Sequence, residues 1–197
     1  MPLEITDFSH EGEGIGRLDG IVTFVPGVVP GDVITVRNIA KKKRIQKAGL
    51  DEMIQPSPDR IQPDCPYFDR CGGCSLQHYA YDAGLRWKRE RVQKLFEKAK
   101  VNAEVAPVIG MNHPWEYRNN MQLQVKNGRV GFHARGSHDV IDIASCPVQS
   151  PVANRVLGCL RQMDLTGIRQ VLVRSADDRA MVSFIGEGSL AMPVDGL

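Results

Sequence analysis

Three cysteines fall within ten residues, Cys65, Cys71 and Cys74, in the spacing C-x5-C-x2-C, and a fourth, Cys146, lies far downstream. If one centre takes all four, a loop and a distant residue must fold together, which constrains the chain more than any other feature. Gly72-Gly73, between Cys71 and Cys74, permit the sharp turn that brings two thiolates to one centre. A cuboidal iron–sulfur cluster takes one thiolate per iron, so three local cysteines need a fourth. Cys146 is the best candidate: Pro147 follows it, as proline follows the last cysteine of bacterial ferredoxin motifs. Structural zinc also takes four thiolates. Its common pattern is two short C-x2-C knuckles, so the spacing favours a cluster while leaving zinc open. Inert core cysteines account for a lone residue but poorly for three beside Gly-Gly. Cys159 sits at an apolar helical spacing and is expected to pack in a core.

The count of five cysteines is odd, and the N-terminus, Met-Pro-Leu-Glu, has neither a basic head nor an apolar stretch. Together these point to a reducing cytoplasm, where clustered cysteines more often bind metal than pair. No apolar run approaches the ~18 residues of a membrane span. With 42% hydrophobic and 24% charged residues, the chain has the composition of a globular protein. A monomer that meets no membrane is expected.

Short strands separated by glycine turns fill the first part. Leu3–Thr6, Gly14–Leu18, Ile21–Val25, Asp32–Ile39 and a run from Ile45 suggest a five-stranded barrel of OB type, a fold that often binds single-stranded nucleic acid. Gly12, Gly14 and Gly16 are read as tight backbone rather than a dinucleotide loop, because a hairpin follows instead of a helix. Gln55-Pro56-Ser57-Pro58 marks a boundary, giving a barrel domain over residues 1–57 and a second domain over 58–197. A helix is expected from about His78 to Lys100, with Leu85, Val92, Leu95 and Ala99 on its apolar side. Beyond Pro107 strands return: Met121, Leu123 and Val125 alternate with polar residues, Asn127-Gly128 turns, and Val130, Phe132, Val140, Ile141 and Ile143 continue. A helix through Val152, Val156 and Met163 and a last hairpin complete an antiparallel α+β domain.

Positive charge is localised. Lys41, Lys42, Lys43 and Arg44 form a block, and Arg86 to Lys100 holds seven Lys or Arg against two Glu. Such stripes on a chain of net charge +2 fit contact with phosphate as well as they fit solvated surfaces. Arg17, Lys41, Lys42, Lys43 and Arg44 are the barrel's candidates for RNA. Phe24 is read as a core strand residue rather than a stacking platform.

Longer motifs carry a resemblance. Thr6-Asp7-Phe8-Ser9-His10-Glu11-Gly12, Gly16-Arg17-Leu18-Asp19-Gly20 and Phe24-Val25-Pro26-Gly27 make residues 3–58 resemble a TRAM domain. Cys65-Pro66-Tyr67-Phe68, Cys71-Gly72-Gly73-Cys74, Gln77-His78-Tyr79, Trp115-Glu116-Tyr117-Arg118-Asn119, Val130-Gly131-Phe132 and Ile141-Asp142-Ile143 before Cys146-Pro147 resemble the bacterial RNA (uracil-5-)-methyltransferases, of the ribosomal RNA type. The resemblance implies a 4Fe–4S cluster on Cys65, Cys71, Cys74 and Cys146. It also implies an RNA role for Arg118 and Asn119, which open a strand facing the substrate.

It further implies a catalytic cysteine and S-adenosylmethionine on a Rossmann-like C-terminal domain, where the cysteine adds to C6 of a flipped uridine. No cysteine here matches that nucleophile, and no strand–glycine-loop–helix unit is evident. The expected fold is therefore an OB-like TRAM barrel followed by an incomplete antiparallel α+β iron–sulfur domain, with the Rossmann-like methyltransferase domain absent. The expected function is the RNA-recognition part of an RNA uracil-C5 methyltransferase, truncated and inactive alone. Ribosomal RNA is the favoured partner and transfer RNA the second. The alternative is a self-standing iron–sulfur RNA-binding adaptor without methyl transfer.

Overall fold

The computed structural model describes residues 1–42 and 44–187; Lys43, one of the expected RNA contacts, lies outside the described residues. The chain divides into two compact units that interleave in sequence. Residues 1–63 and 75–111 form the first, and residues 64–74 with those from 112 onward form the second.

In the first unit β1 (Leu3–Phe8), β2 (Gly14–Leu18), β3 (Ile21–Val25), β4 (Val33–Lys42) and β5 (Ile45–Gln55) close into a barrel of order β1-β2-β3-β5-β4. Closure comes from β3 pairing parallel with β5, Val22 opposite Ile45 and Phe24 opposite Lys47. Leu3, Ile5, Leu18, Val25, Val28, Ile34 and Ala48 fill the interior. Alternation along β3 puts Thr23 and Val25 inside, so Phe24 is only half-buried and faces outward. This corrects its reading as a core residue. All five residues of Ile21–Val25 suit a strand, so no polar alternation told the faces apart.

Asp32 pins the start of β4 to the chain leaving β5. Its fully buried carboxylate accepts from the Val29 N–H at 2.7 Å, the Ser57 N–H at 2.9 Å and Arg60 Nε at 3.1 Å. Burial pushes this carboxyl upward, but the Arg60 guanidinium and the two N–H groups outweigh it and hold it below its ordinary value of 3.8.

The helix α1 (Tyr81–Lys98) also belongs to this unit. Its docking face is not the aliphatic one expected: Val92 and Leu95 are 39% and 57% exposed, and the fully buried residue is Ala83. Ala83, Trp87 and Arg91 recur every four residues and so share one side. Trp87 meets the Phe8 ring edge-on at 5.5 Å and donates to Asp7 at 2.7 Å, while Arg91 stacks on Trp87 and donates to the Phe8 carbonyl. Long amphipathic side chains cover the barrel here, and apolar periodicity does not register them.

The second unit is an antiparallel sheet of β6 (Asn120–Lys126), β7 (Arg129–His133), β8 (Val140–Asp142), β9 (Ile168–Ala176) and β10 (Arg179–Gly186), in order β10-β9-β6-β7-β8. Helix α2 (Pro151–Leu160) covers one face. Met121 opposite Val173 and Leu123 opposite Val171 meet Ala153, Val156, Leu157 and Leu160 of α2. Ser150 caps the helix by accepting from the Ala153 N–H, and Pro151 begins its first turn. Leu160, not Cys159, takes the buried position; Cys159 is exposed, contrary to expectation.

Replacing Asp32 by Ala strands Arg60 and two N–H groups, and is expected to cost about 3 kcal/mol or more in chemical denaturation of the chain. Because the folded carboxyl lies below its unfolded value, its contribution is complete above 3.8 and is lost as pH falls through the lower folded value. Asp32→Ala should therefore flatten the acid limb of the stability–pH curve.

Candidate cysteine centre and RNA-facing segment

The loop holding the first three cysteines is shaped by its own turns. The Phe68 N–H donates to the Cys65 carbonyl at 3.1 Å, and the Cys71 N–H to the Tyr67 carbonyl at 2.8 Å. Gly72 then donates to the His133 carbonyl at 2.9 Å, and Cys71 forms a bridge with Ala134, seating the loop on the end of β7. Arg135 clasps it from the other side. Its guanidinium donates to the carbonyls of Cys74 at 2.9 Å and Phe68 at 3.4 Å and lies over the Phe68 ring.

Cys146 is held just as closely. Asn154, in the first turn of α2, accepts from the Cys146 N–H at 2.8 Å and returns its own amide N–H to the Cys146 carbonyl at 3.0 Å. Tyr67, between the clustered cysteines, packs on the core that Cys146 also touches, and its hydroxyl accepts from the Ala144 N–H at 3.0 Å. β7 and β8 approach so closely that a side chain at Gly131 would strike the Ile141 carbonyl, which accounts for that glycine. Loop and distant cysteine thus rest on the same sheet.

Electrostatics relates the four sulfurs. Burial pushes the Cys65, Cys71 and Cys146 thiols above their ordinary value of 9.0. Charge on Cys74 or Cys71 raises Cys65 further, and charge on Cys74 or Cys65 raises Cys146, so the sulfurs lie within electrostatic reach of one another. Opposing this, the Gly73 N–H donates to the Cys71 sulfur at 3.4 Å, and the backbone N–H groups of Tyr67 and Phe68 lower Cys65 as those of Val148 and Gln149 lower Cys146. The Arg135 charge also lowers Cys71. All five cysteines are unbridged. Among the described residues no three His, Cys, Asp or Glu side chains converge so as to hold a single metal ion.

The segment after Cys146 positions the expected RNA contact. The Arg118 N–H donates to the Val148 carbonyl at 2.8 Å, the Ser150 N–H returns to the Arg118 carbonyl at 2.8 Å, and the Glu116 N–H reaches Pro147 at 2.9 Å. Glu116 takes a positive φ of 58°, a conformation that costs a non-glycine residue energy and is held here by its neighbours. Arg118 and Asn119 are exposed, and the Asn119 carbonyl accepts from the Ser175 N–H at 2.9 Å. In the barrel unit Arg17, Lys41, Lys42 and Arg44 are exposed, and Arg17 donates to the Gly20 carbonyl at 3.1 Å. Arg135 and Asn154 went unnoticed in the sequence. Asn154 left a trace, since an amide in an otherwise apolar first turn is a poor helix former; Arg135 left none.

Comparison with known proteins follows the same lines. Residues 1–41 match the TRAM domain family. An uncharacterized RNA methyltransferase of Halalkalibacterium halodurans is 37% identical over 184 residues, 90% of this chain and 39% of that protein. One from Staphylococcus epidermidis is 36% identical over 208 residues, 94% of this chain and 46% of its own. The chain thus spans less than half the length of these relatives. Among solved structures, the Pyrococcus abyssi tRNA (uracil-54, C5)-methyltransferase in complex with S-adenosyl-L-homocysteine shares the fold at a TM-score of 0.74 and 23% identity, over 97% of this chain and 47% of that one. The TRAM domain and relatives named as RNA methyltransferases both support the RNA methyltransferase family for this chain.

These likenesses overturn the fold class expected from sequence. The barrel and the antiparallel α+β sheet are present, but the expected absence of the methyltransferase domain is overturned, because the chain follows the fold of that tRNA (uracil-54, C5)-methyltransferase along 97% of its length. The companion expectation, that the catalytic domain is lacking, is not borne out either. Both took one signature, a strand–glycine-loop–helix unit, to stand for the whole fold. The matched portion is carried by a barrel and an antiparallel sheet, which have no such signature. No helix among the described residues is long and apolar enough to cross a membrane.

With thiols raised by burial, the chain stripped of metal should alkylate slowly with iodoacetamide at about pH 7. Modification of Cys65, Cys71 and Cys146 should accelerate only as pH passes 9.0, as peptide mass mapping would read. Rapid modification of all three near neutrality would contradict the burial argument.

Proposed function

We propose that this chain, whose relatives are named RNA methyltransferases, serves S-adenosylmethionine-dependent methylation of uracil C5 in RNA by gripping and orienting the RNA. The observation that carries this reading is the backbone pairing of residues 147–150, immediately after Cys146, with the strand entry that bears Arg118. Residues 1–57 act as the RNA-gripping barrel and residues 58–197 as the cysteine-bearing part, with Arg118 and Asn119 meeting RNA in the second and Arg17, Lys41, Lys42, Lys43 and Arg44 in the first. The protein works in the cytoplasm as a monomer.

Cys65, Cys71, Cys74 and Cys146 hold a 4Fe–4S cluster in this reading. The donor set fits: four thiols within electrostatic reach, with the Gly73 N–H donated to the Cys71 sulfur and backbone N–H groups lowering Cys65 and Cys146. S-adenosylmethionine supplies an electrophilic methyl group, so uracil methylation contains no redox step. The cluster is therefore architectural. It ties residues 65–74 to Cys146, and residues 147–150 pass that rigidity to Arg118.

Ribosomal RNA is the proposed substrate. The solved neighbour's name favours transfer RNA as the second reading, and competition between the two RNAs for the chain separates them. Replacing Cys71 by Ala should lower thermal stability and RNA affinity together, read by calorimetry and filter binding. Unchanged melting with lost RNA binding would instead assign the cluster a direct contact with RNA.

A further inference from the structure

Arg135 stands on the turn that follows β7, where Gly136 takes a positive φ of 70° and the Ala134 N–H donates to the Asp139 carbonyl at 2.7 Å. From there it meets the cysteine loop at three carbonyls. Its backbone N–H donates to Arg70 at 2.8 Å, and its guanidinium to Cys74 at 2.9 Å and Phe68 at 3.4 Å. Two of these carbonyls precede Cys71 in the chain and one follows it. The guanidinium also lies 5.5 Å from the centre of the Phe68 ring, a residue that is itself buried. Three carbonyl dipoles thus end on Arg135, while the Gly73 N–H donates to the Cys71 sulfur at 3.4 Å. Bracing of this kind does not require charge, since a neutral amide also donates to carbonyls. The charge calls for a second reason.

We propose that Arg135 is a positioning residue for the cysteine centre that also sets its electron affinity, its positive charge favouring the electron-richer state. The inference rests on the 4Fe–4S reading above and concerns a residue that contributes no sulfur. Potentials of such centres follow net charge, hydrogen bonds to sulfur and exposure to solvent. Residues outside the ligand set control those quantities. Four thiolates make the bound group anionic overall, so a neighbouring cation stabilises it, and most strongly in its most reduced form. Loss of one electron to dioxygen, which becomes superoxide, leaves the group less negative and forfeits part of that attraction. Arg135 therefore raises the potential and opposes oxidation in air. A centre whose work is architectural gains from this even though it passes no electrons. Arg135 is exposed, so water and salt screen its charge and the effect fades as ionic strength rises.

The test uses the full 197-residue chain purified without air. Redox titration followed by visible absorbance gives the midpoint potential, and loss of that absorbance in air gives a lifetime. Arg135→Met removes the charge at similar length; it should move the midpoint to more negative values and shorten the lifetime. Arg135→Lys keeps the charge and should hold the midpoint close to wild type. The gap between wild type and Arg135→Met should shrink between about 10 mM and 1 M salt, as the Debye length falls from ~30 Å to ~3 Å. An unchanged midpoint and lifetime in loaded Arg135→Met, or an equal fall in Arg135→Lys, would overturn the electrostatic role. So would a gap indifferent to salt. If Arg135→Met fails to take up iron, Arg135→Lys carries the test: a wild-type midpoint supports the proposal, and a shifted one, or no loading, reduces Arg135 to a brace and overturns it. Zinc without sulfide in the wild-type chain would instead remove the cluster reading on which the inference stands.

Discussion

One side chain holds the second unit's candidate centre in place. Asn154 accepts from the N–H of Cys146 and donates to its carbonyl, so the cysteine's backbone is fixed at both polar groups by a helix that is itself capped by Ser150. Without that clamp Cys146 would sit in an ordinary loop after β8. With it, the sulfur has a defined place beside residues 65–74, and the chain leaving it, residues 147–150, has a defined path along which Arg118 is paired. Arg135 does the same for the clustered cysteines, bonding carbonyls on either side of Cys71. Neither residue offers a sulfur. Both determine where sulfurs can be.

Two costs are built into that arrangement. Burial keeps the thiols protonated, and proximity makes each thiolate harder to form once another exists. A positively charged centre removes both costs at once, because its charge neutralises the thiolates and its binding displaces their protons. The Gly73 N–H at the Cys71 sulfur, and the backbone N–H groups that lower Cys65 and Cys146, favour thiolate in the same sense. The loop thus suits bound thiolates better than free thiols. Its rigidity is useful at Arg118, an exposed cation on a backbone held from both directions.

How much of this could be read in the sequence depended on which forces left a periodic trace. Periodicity did: Met121, Leu123 and Val125 announce β6, and the four-residue spacing of Val152 and Val156 announces α2. The spacing of Cys71 and Cys74 around two glycines announced a centre. Faces set by individual contacts left none. The docking side of α1 is made by Ala83, Trp87 and Arg91, because an indole and a guanidinium can cover a barrel as well as aliphatic residues do. Phe24 faces outward in a strand whose five residues would all suit a core. The parallel pairing that closes the barrel joins segments with no mutual signal in their residues. The expected absence of a methyltransferase domain failed for a different reason, having been inferred from a signature not found.

Analysis of anaerobically purified chain for iron, acid-labile sulfide and zinc decides what the four cysteines hold. About four irons and four sulfides per chain are expected. Loss of both on Cys146→Ala would tie the distant cysteine to the centre. Stoichiometric zinc without sulfide would contradict the assignment.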